Sequence, residues 1–187
     1  MPVKSFTEAK SRLAPALGGH ERASLARRMA THVVVAAAPL PVAVVCDDAD
    51  VAAWARDLGA LVVWEPERGL NRAVEAGVER LGRDGVERCI VVHADLPLVR
   101  DLAWMGDTPG VTIVGDRAGN GTNAICVPTG AGFRFSYGPG SRARHEAEAR
   151  RLGLPLRVVD ERAIAHDVDV PDDLDAAVAG VGLGPRT

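Results

Sequence analysis

The chain of 187 residues has the length of one ordinary domain, which buries enough apolar surface to fold without a disulfide or a metal staple. Its 22 basic and 25 acidic residues give a net charge of -3, which excludes the broad basic surface of a protein that coats nucleic acid. Hydrophobic residues make up 47% of the chain but aromatic residues only 4%, which favours a core of Ala, Val and Leu, as in helix-covered sheets.

Short apolar runs alternate along the chain with segments of helical periodicity. The predicted strands are residues 42–46, 61–63, 89–92, 111–114, 124–127 and 156–159, and the predicted helices are residues 20–37, 48–58, 70–81, 141–152 and 171–178. This alternation predicts an α/β fold with a central, mostly parallel sheet flanked by helices. Residues 1–179 are predicted to form a single domain, and residues 180–187 are predicted to form a flexible tail.

The cysteines and the apolar runs bear on the compartment. Cys46, Cys89 and Cys126 are far apart and stand in apolar runs, so we expect reduced core residues rather than a disulfide or a zinc site. No apolar stretch is long enough to cross a membrane, and charge comes too early for a signal peptide. We therefore expect a cytoplasmic protein.

The first basic residues of the chain lie close together ahead of the first helix. They are Lys4, Lys10 and Arg12. Lys and Arg side chains, together with backbone N–H groups, neutralise the oxygens of a phosphate chain, so this segment could bind one. A solvated basic loop is the alternative interpretation.

An aspartate follows the predicted strand 89–92. Ligands of open α/β sheets bind at the carboxyl ends of the strands, so Asp95 is placed to hold a metal ion. Taken alone, the pattern Asp95-Leu96-Pro97 favours a simpler interpretation, in which the carboxylate caps the turn before the proline.

Two further acids, Asp167 and Asp169, alternate along an extended segment near the C-terminus. Alternating side chains point to opposite faces, so one of the two can face a cleft. Asp169 could instead cap the following helix, and a cap can use one carboxylate oxygen while a metal uses the other. The acids at positions 47, 48 and 50 are interpreted mainly as the start of the helix 48–58.

Six segments of the chain occur in an order that matches a known family. They are residues 2–13, Gly69-Leu70-Asn71, residues 94–98, residues 116–123, the turn Gly138-Pro139-Gly140-Ser141 with the residues up to His145, and residues 167–174. Together they closely resemble the 2-phospho-L-lactate and phosphoenolpyruvate guanylyltransferases of coenzyme F-420 biosynthesis, over nearly the whole chain.

The resemblance implies a Rossmann-like nucleotidyltransferase fold of the GT-A type. It implies a reaction in which the phosphate of a three-carbon acid attacks the α-phosphorus of GTP and pyrophosphate leaves. It implies that Asp95 and Asp169 bind a Mg²⁺ or Mn²⁺ ion, with Asp167 as a helper. It implies that Lys10 and Arg12 are catalytic cations at the nucleotide phosphates, and that the nucleotide is also bound by Lys4, Leu70 and Asn71. The acceptor acid would be bound by Thr122, Gly138 and Ser141.

The chain departs from the family pattern at several positions. Met1-Pro2-Val3 stands where the family has a longer apolar first strand, so we expect a clipped strand or a misassigned start. Val170 stands where the family usually has threonine. His93 stands where the family usually has a small residue or proline, and it either fills space or touches the nucleotide. The stretch 98–109 is shorter than usual, and a helix is not predicted there.

Alternative functions remain at this level. Another small nucleotidyltransferase, of the molybdopterin type, would carry an arginine-lysine pattern in its first loop that residues 2–4 lack. A catalytically inactive protein would bind GTP without releasing pyrophosphate. The acceptor is either phosphoenolpyruvate or 2-phospholactate. The expected partners are these small molecules, and neither nucleic acid nor a membrane is expected as a partner. A homodimer is possible on the sequence alone.

Overall fold

The computed structural model describes residues 1–67 and 69–182 of the chain. Within these residues, strands and helices alternate much as the apolar periodicity predicts. The strands are β1 Ala43–Cys46, β2 Leu61–Trp64, β3 Arg88–Val92, β4 Val111–Gly115, β5 Thr122–Pro128 and β6 Leu156–Val159. The α-helices are α1 Gly19–Ala36, α2 Ala49–Asp57, α3 Leu70–Arg83, α4 Ser141–Arg151, α5 Arg162–Ala165 and α6 Leu174–Val181.

The strands form two hydrogen-bonded groups. β1 pairs in parallel with β2, and Pro2 adds a parallel bridge to Val45. The second group has the order β3-β5-β4-β6, in which β4 and β6 are parallel while β5 is antiparallel to both of its neighbours. Only residues 116–121 separate β4 from β5, which is too short for the crossover that a parallel pair needs. The predicted α/β class, with a parallel-rich sheet flanked by helices, is confirmed.

Helices α1 and α3 bury apolar faces against these strands. Leu25, Met29 and Val33 of α1 are at most 1% exposed, as their helical spacing predicts. Gly77 brings α3 so close to β1 that a Cβ atom there would lie 2.8 Å from the side chain of Val45. The three cysteines are buried and free of disulfides, which confirms the prediction for them.

Two helical segments differ from the prediction. The predicted helix 171–178 begins as the 3-10 turn Pro171–Asp173 and becomes α-helical only at Leu174. The four-residue helix α5 was not predicted, because so short a segment shows no period. Between residues 98 and 109 the structure has just the 3-10 turn Ala103–Gly106, in agreement with the absence of a predicted helix.

The predicted tail 180–187 starts inside a packed helix. Helix α6 continues through Val181, and Gly180 lies so close to Pro97 that a Cβ atom would fall 1.9 Å from its carbonyl oxygen. A side chain at this position would therefore force the helix away from the loop after β3. The rest of the predicted tail, residues 183–187, lies outside the described residues.

None of the helices in the described part of the chain combines the length and the apolar character that a membrane span requires.

Candidate active site

An open cleft of about 930 Å³ lies beside the residues that follow β1 and β3 and the residues that begin α3 and α4. Polar side chains collect at this position because strand ends and helix starts leave backbone groups and loop side chains free for a ligand. The predicted site residues that line the cleft are Lys4, Lys10, Arg12, Leu70, Asp95, Thr122, Gly138, Ser141, Asp167 and Asp169.

Lys10 joins two of the predicted metal ligands. Its ammonium lies 2.5 Å from Oδ2 of Asp95 and 3.1 Å from Oδ1 of Asp169, and its side chain is only 9% exposed. Lys10 holds a left-handed backbone conformation, φ 56° and ψ 38°, which costs a non-glycine residue about 1–2 kcal/mol. Such a conformation persists only where the surrounding structure stabilises it, and the side chain of Lys10 is anchored here by two carboxylates.

The charges in this part of the cleft are mutually dependent. Burial acts to lower the pKa of Lys10, but Asp95 and Asp169 outweigh burial and raise it. Burial likewise acts to raise the pKa of Asp95, but Lys10, together with His93 and a backbone hydrogen bond, outweighs burial and lowers it. The ammonium and the carboxylates are therefore charged together, and removing either partner leaves a buried charge uncompensated.

The carboxylate of Asp95 has one oxygen to spare. Its Oδ2 pairs with Lys10, whereas its Oδ1 is buried without a hydrogen-bond partner among the described residues. Its backbone carbonyl accepts a hydrogen bond from Val168 N–H at 3.2 Å, which fastens the loop after β3 to the acidic segment 167–169. The carboxylate of Asp95 thus faces the cleft and Lys10, and its role as a metal ligand stays a prediction.

The acidic segment directs its two carboxylates differently. Asp169 pairs with Lys10 and also with Arg12, whose Nη1 lies 3.2 Å from its Oδ2. Asp169 does not cap the following helix, since Val170 holds that position. Oδ1 of Asp167 accepts a hydrogen bond from Asn123 Nδ2 at 3.2 Å, and burial, then Asp95 and Asp169, raise the pKa of Asp167.

The three predicted metal ligands do not form a ready-made cage. Among residues 1–67 and 69–182, no three His, Cys, Asp or Glu side chains are grouped so that they could hold a metal ion. The physical reason is that Lys10 stands between Asp95 and Asp169, while Asp167 is turned towards Asn123. The unpartnered Asp95 oxygen nevertheless fits Mg²⁺, which is bound by one or two carboxylates together with water and substrate phosphates.

Two buried residues that the sequence interpretation passed over hold this acidic segment in place. Asp173, only 4% exposed, accepts the N–H groups of Asp169 and Val170 and pairs with Arg117 at 2.8 Å. Asn123 donates both to Asp167 and to the carbonyl of Ile164. Asn123 and Asp173 both lie within the matched segments 116–123 and 167–174, which was the available signal.

Buried hydroxyl groups also line the cleft. Thr122 and Ser141 are 2% and 1% exposed, and Ser141 Oγ donates to Thr122 Oγ1 at 3.3 Å. Thr122 Oγ1 also lies 3.0 Å from Nδ1 of His145, which is fully buried and whose Nε2 accepts the N–H of Ser136 at 3.0 Å. The sequence interpretation gave His145 no role.

A glycine-rich turn leads into α4 beside these hydroxyls. Gly138 and Gly140 have φ values of 113° and 76°, which favour glycine and allow close backbone approach. Arg144 donates to the carbonyls of Ser136 and Pro139, so its guanidinium stabilises the conformation of the turn. The turn therefore presents the start of helix α4, where negative charge is favoured, to the cleft.

The predicted guanine-side residues take different positions. Leu70 lines the cleft and is 38% exposed. The structure does not place Asn71 among the cleft-lining residues, because its side-chain oxygen accepts the N–H of Tyr137 at 2.7 Å. Asn71 thereby ties the start of α3 to the segment ahead of the glycine-rich turn.

Acidification should destabilise the fold through His145. Burial, with help from Arg144 and His93, lowers the pKa of His145 from 6.5 to about 4. The unfolded state therefore binds more protons between these values, and stability falls as the pH drops from about 6.5 towards 4, by about 2–3 kcal/mol. Chemical denaturation of the protein and of His145→Gln at several pH values checks this. If the free energy of unfolding depended equally on pH in the wild type and in His145→Gln, this prediction would be wrong.

Comparison with known proteins reveals relatives of this chain. Residues 1–181 match a protein-family model described as guanylyl transferase CofC like. The phosphoenolpyruvate guanylyltransferase of Sphaerobacter thermophilus is 33% identical, over 98% of this chain and 93% of its own. The enzymes of the same name from Rubrobacter xylanophilus and Thermomonospora curvata are 38% and 40% identical over this whole chain, covering 96% and 85% of theirs.

Solved structures show where the fold recurs. A protein from Desulfovibrio desulfuricans G20, described as a nucleotide-diphospho-sugar transferase, superposes with a TM-score of 0.71 at 16% identity over 93% of this chain and 82% of its own. The CMP:2-keto-3-deoxy-manno-octonic acid synthetase, complexed with CTP, gives a TM-score of 0.59 at 13% identity, covering 95% of each chain. At these identities the likeness establishes a shared fold alone.

Proposed function

Because the chain belongs to the family of CofC-like guanylyl transferases, we propose that it joins GTP to phosphoenolpyruvate with release of pyrophosphate, in coenzyme F-420 biosynthesis. It is a nucleotidyltransferase, and the choice of phosphoenolpyruvate over 2-phospholactate follows the names that its relatives carry. We place this reaction in the cytoplasm, with small molecules as the partners.

The observation that carries the proposal is that two sets of polar residues suited to anions line the same cleft. One set contains the cations Lys10 and Arg12 with the acids Asp95 and Asp169. The other contains the buried hydroxyls and the glycine-rich turn before α4. A triphosphate at the first set and a phosphorylated acid at the second would bring two phosphates together.

The reaction balances without a general base. A phosphate oxygen of the acceptor attacks the α-phosphorus of GTP, the bond from that phosphorus to the β-phosphate bridging oxygen breaks, and pyrophosphate leaves. The attacking phosphate monoester is already an anion near neutral pH, so the barrier consists mainly of charge repulsion and alignment. Lys10 and Arg12 would reduce that repulsion, while Thr122 and Ser141 would orient the acceptor.

A divalent cation is part of this proposal. Asp95 and Asp169, with Asp167 beside them, are the residues that would hold Mg²⁺ or Mn²⁺. When bound, the ion supplies positive charge against the phosphate oxygens. In the structure Lys10 supplies the positive charge between the carboxylates, so a bound cation would share Asp95 and Asp169 with it, and the free Oδ1 of Asp95 is the oxygen that Lys10 leaves to the cation.

We expect pyrophosphate release from GTP when phosphoenolpyruvate is offered, and little release from ATP. The family resemblance puts Leu70, which lines the cleft at the start of α3, near the guanine, and a mismatched base leaves buried donors or acceptors unpaired. The measurement is a coupled assay of pyrophosphate with GTP or ATP and with either acceptor acid supplied separately.

The outcomes of this assay separate the alternatives. Release with 2-phospholactate but not with phosphoenolpyruvate would correct the acceptor and leave the reaction type intact. Equal specificity constants for ATP and GTP would contradict the base assignment. GTP binding without release under any condition would favour an inactive nucleotide-binding protein.

A further inference from the structure

The hydrogen bonds around His145 determine which of its ring nitrogens carries the proton. The N–H of Ser136 points at Nε2 over 3.0 Å, and because a backbone N–H can only donate, Nε2 must be the acceptor. The proton of the neutral ring is therefore on Nδ1. Burial lowers the pKa of His145 to about 4, in agreement with a neutral ring near pH 7. Nδ1–H then donates to Thr122 Oγ1 over 3.0 Å.

The assignment of donors and acceptors extends from His145 to the hydroxyl of Thr122. Its oxygen accepts one hydrogen bond from His145 and a second from Ser141 Oγ at 3.3 Å, so both lone pairs are used. The hydroxyl hydrogen of Thr122 is thus left over as a donor. Thr122 lines the cleft, although only 2% of its surface is exposed, so an anion in the cleft is the ligand this hydrogen can reach.

We propose that His145 is a positioning residue, which orients the hydroxyl of Thr122 so that its hydrogen is donated to the anionic acceptor acid. The inference rests on the proposed function for the identity of the acceptor. His145 itself stays behind Thr122 and touches no substrate. It links strand β5, through Thr122, to helix α4 and to the backbone at Ser136, just ahead of the glycine-rich turn.

A space-filling role is the competing explanation for a fully buried histidine. The ring of His145 packs at centroid distances of 4.9 Å from Tyr137 and 5.9 Å from Phe133. A residue that only fills this space would be replaced about equally well by any side chain of similar size. A positioning residue depends on which of its two nitrogens is retained.

Two substitutions separate these explanations. In His145→Asn the side-chain amide can keep a donor near the place of Nδ1, facing Thr122, whereas in His145→Gln the amide reaches the place of Nε2, facing Ser136. We expect Gln to raise the KM for phosphoenolpyruvate about tenfold or more, with the KM for GTP changed less than about twofold. We expect Asn to stay within about threefold of the wild type for both substrates. His20→Asn, exposed near the start of α1, is the matched control.

A double substitution tests whether His145 acts through Thr122. Thr122→Val removes the hydroxyl at nearly constant volume, so adding His145→Gln to it should raise the KM for phosphoenolpyruvate little further. Additive effects of the two changes would overturn the proposal. Equal effects of Asn and Gln on the acceptor KM, or a parallel loss of GTP affinity, would overturn it too and leave His145 as a packing residue.

Acceptor binding is measured separately, so that the proposal does not depend on turnover. Titration calorimetry with phosphoenolpyruvate should give affinities in the same order as the KM values. The wild type and His145→Asn should bind it with similar affinity, and His145→Gln should bind it more weakly. Binding in this order without pyrophosphate release would support His145 while overturning the proposed function. A wild type that binds phosphoenolpyruvate no better than the Gln variant would overturn the inference about His145.

Discussion

Asparagine in place of Asp95 should lower the turnover number for guanylyl transfer at least about a hundredfold, which corresponds to about 2.7 kcal/mol of activation free energy. The amide keeps the shape of the carboxylate but removes the negative charge that Lys10 faces at 2.5 Å. The amide also has a single oxygen, so it cannot both accept from Lys10 and keep an oxygen in the place of the buried, unpartnered Oδ1 as a ligand for a divalent cation. Steady-state kinetics with excess Mg²⁺, at saturating GTP and phosphoenolpyruvate, gives the measurement.

The control for this substitution is Asp57→Asn, at the exposed end of α2. It makes the same chemical change away from the cleft and should leave the turnover number unchanged. Thermal denaturation of both variants shows whether each is folded. Full activity of a folded Asp95→Asn protein would remove Asp95 from the catalytic machinery.

Replacing Lys10 by methionine should make the stability of the protein strongly dependent on divalent cations. Methionine keeps an unbranched apolar side chain, which ends where the ammonium begins, and it leaves Asp95 and Asp169 without their shared positive charge. Leaving one member of a partly buried ion pair unpaired costs about 3 kcal/mol, or roughly 6–12 °C in Tm for a chain of this size. We expect this loss in EDTA and recovery of most of it in millimolar Mg²⁺, while guanylyl transfer falls at least about tenfold.

The control for Lys10→Met is Arg83→Met, which removes one positive charge at the exposed end of α3. Its Tm should respond to Mg²⁺ as the wild type does. If Mg²⁺ raised the Tm of Lys10→Met and of the wild type by the same amount, Lys10 and the cation would not share the carboxylates, and the assignment of Asp95 and Asp169 as the metal-holding pair would be wrong.

Much of the secondary structure follows from local patterns in the sequence. The bounds of β4, β6 and α4 agree with the apolar periodicity to within about two residues, since a strand or helix with one buried face leaves its period in the chain. Asp48 was predicted to begin a helix, and its carboxylate accepts the N–H of Val51 at the start of α2. Capping of this kind depends on neighbours three residues apart, so it is visible locally.

The members of the candidate site were also named from the sequence, but through the family resemblance rather than through any local period. Lys10 and Asp169 are separated by 159 positions in the chain and meet in one ion pair. Taken alone, each acid had a second interpretation as a cap. The structure shows that Asp95 and Asp169 both pair with Lys10, whereas their role as metal ligands stays a prediction.

Three features were decided by the tertiary structure alone: the position of β5 between β3 and β4, the ammonium of Lys10 between two carboxylates, and the chain of hydrogen bonds from Ser136 through His145 to Thr122. Each depends on which distant segments become neighbours after the chain has collapsed. The burial pattern of a strand does not specify which strands will pair with it, and the local sequence around a lysine or a histidine does not specify its distant partner. Periodicity and capping therefore determine the elements of this protein, whereas packing between distant elements determines the protonation state and orientation of the groups that are proposed to act on its substrates.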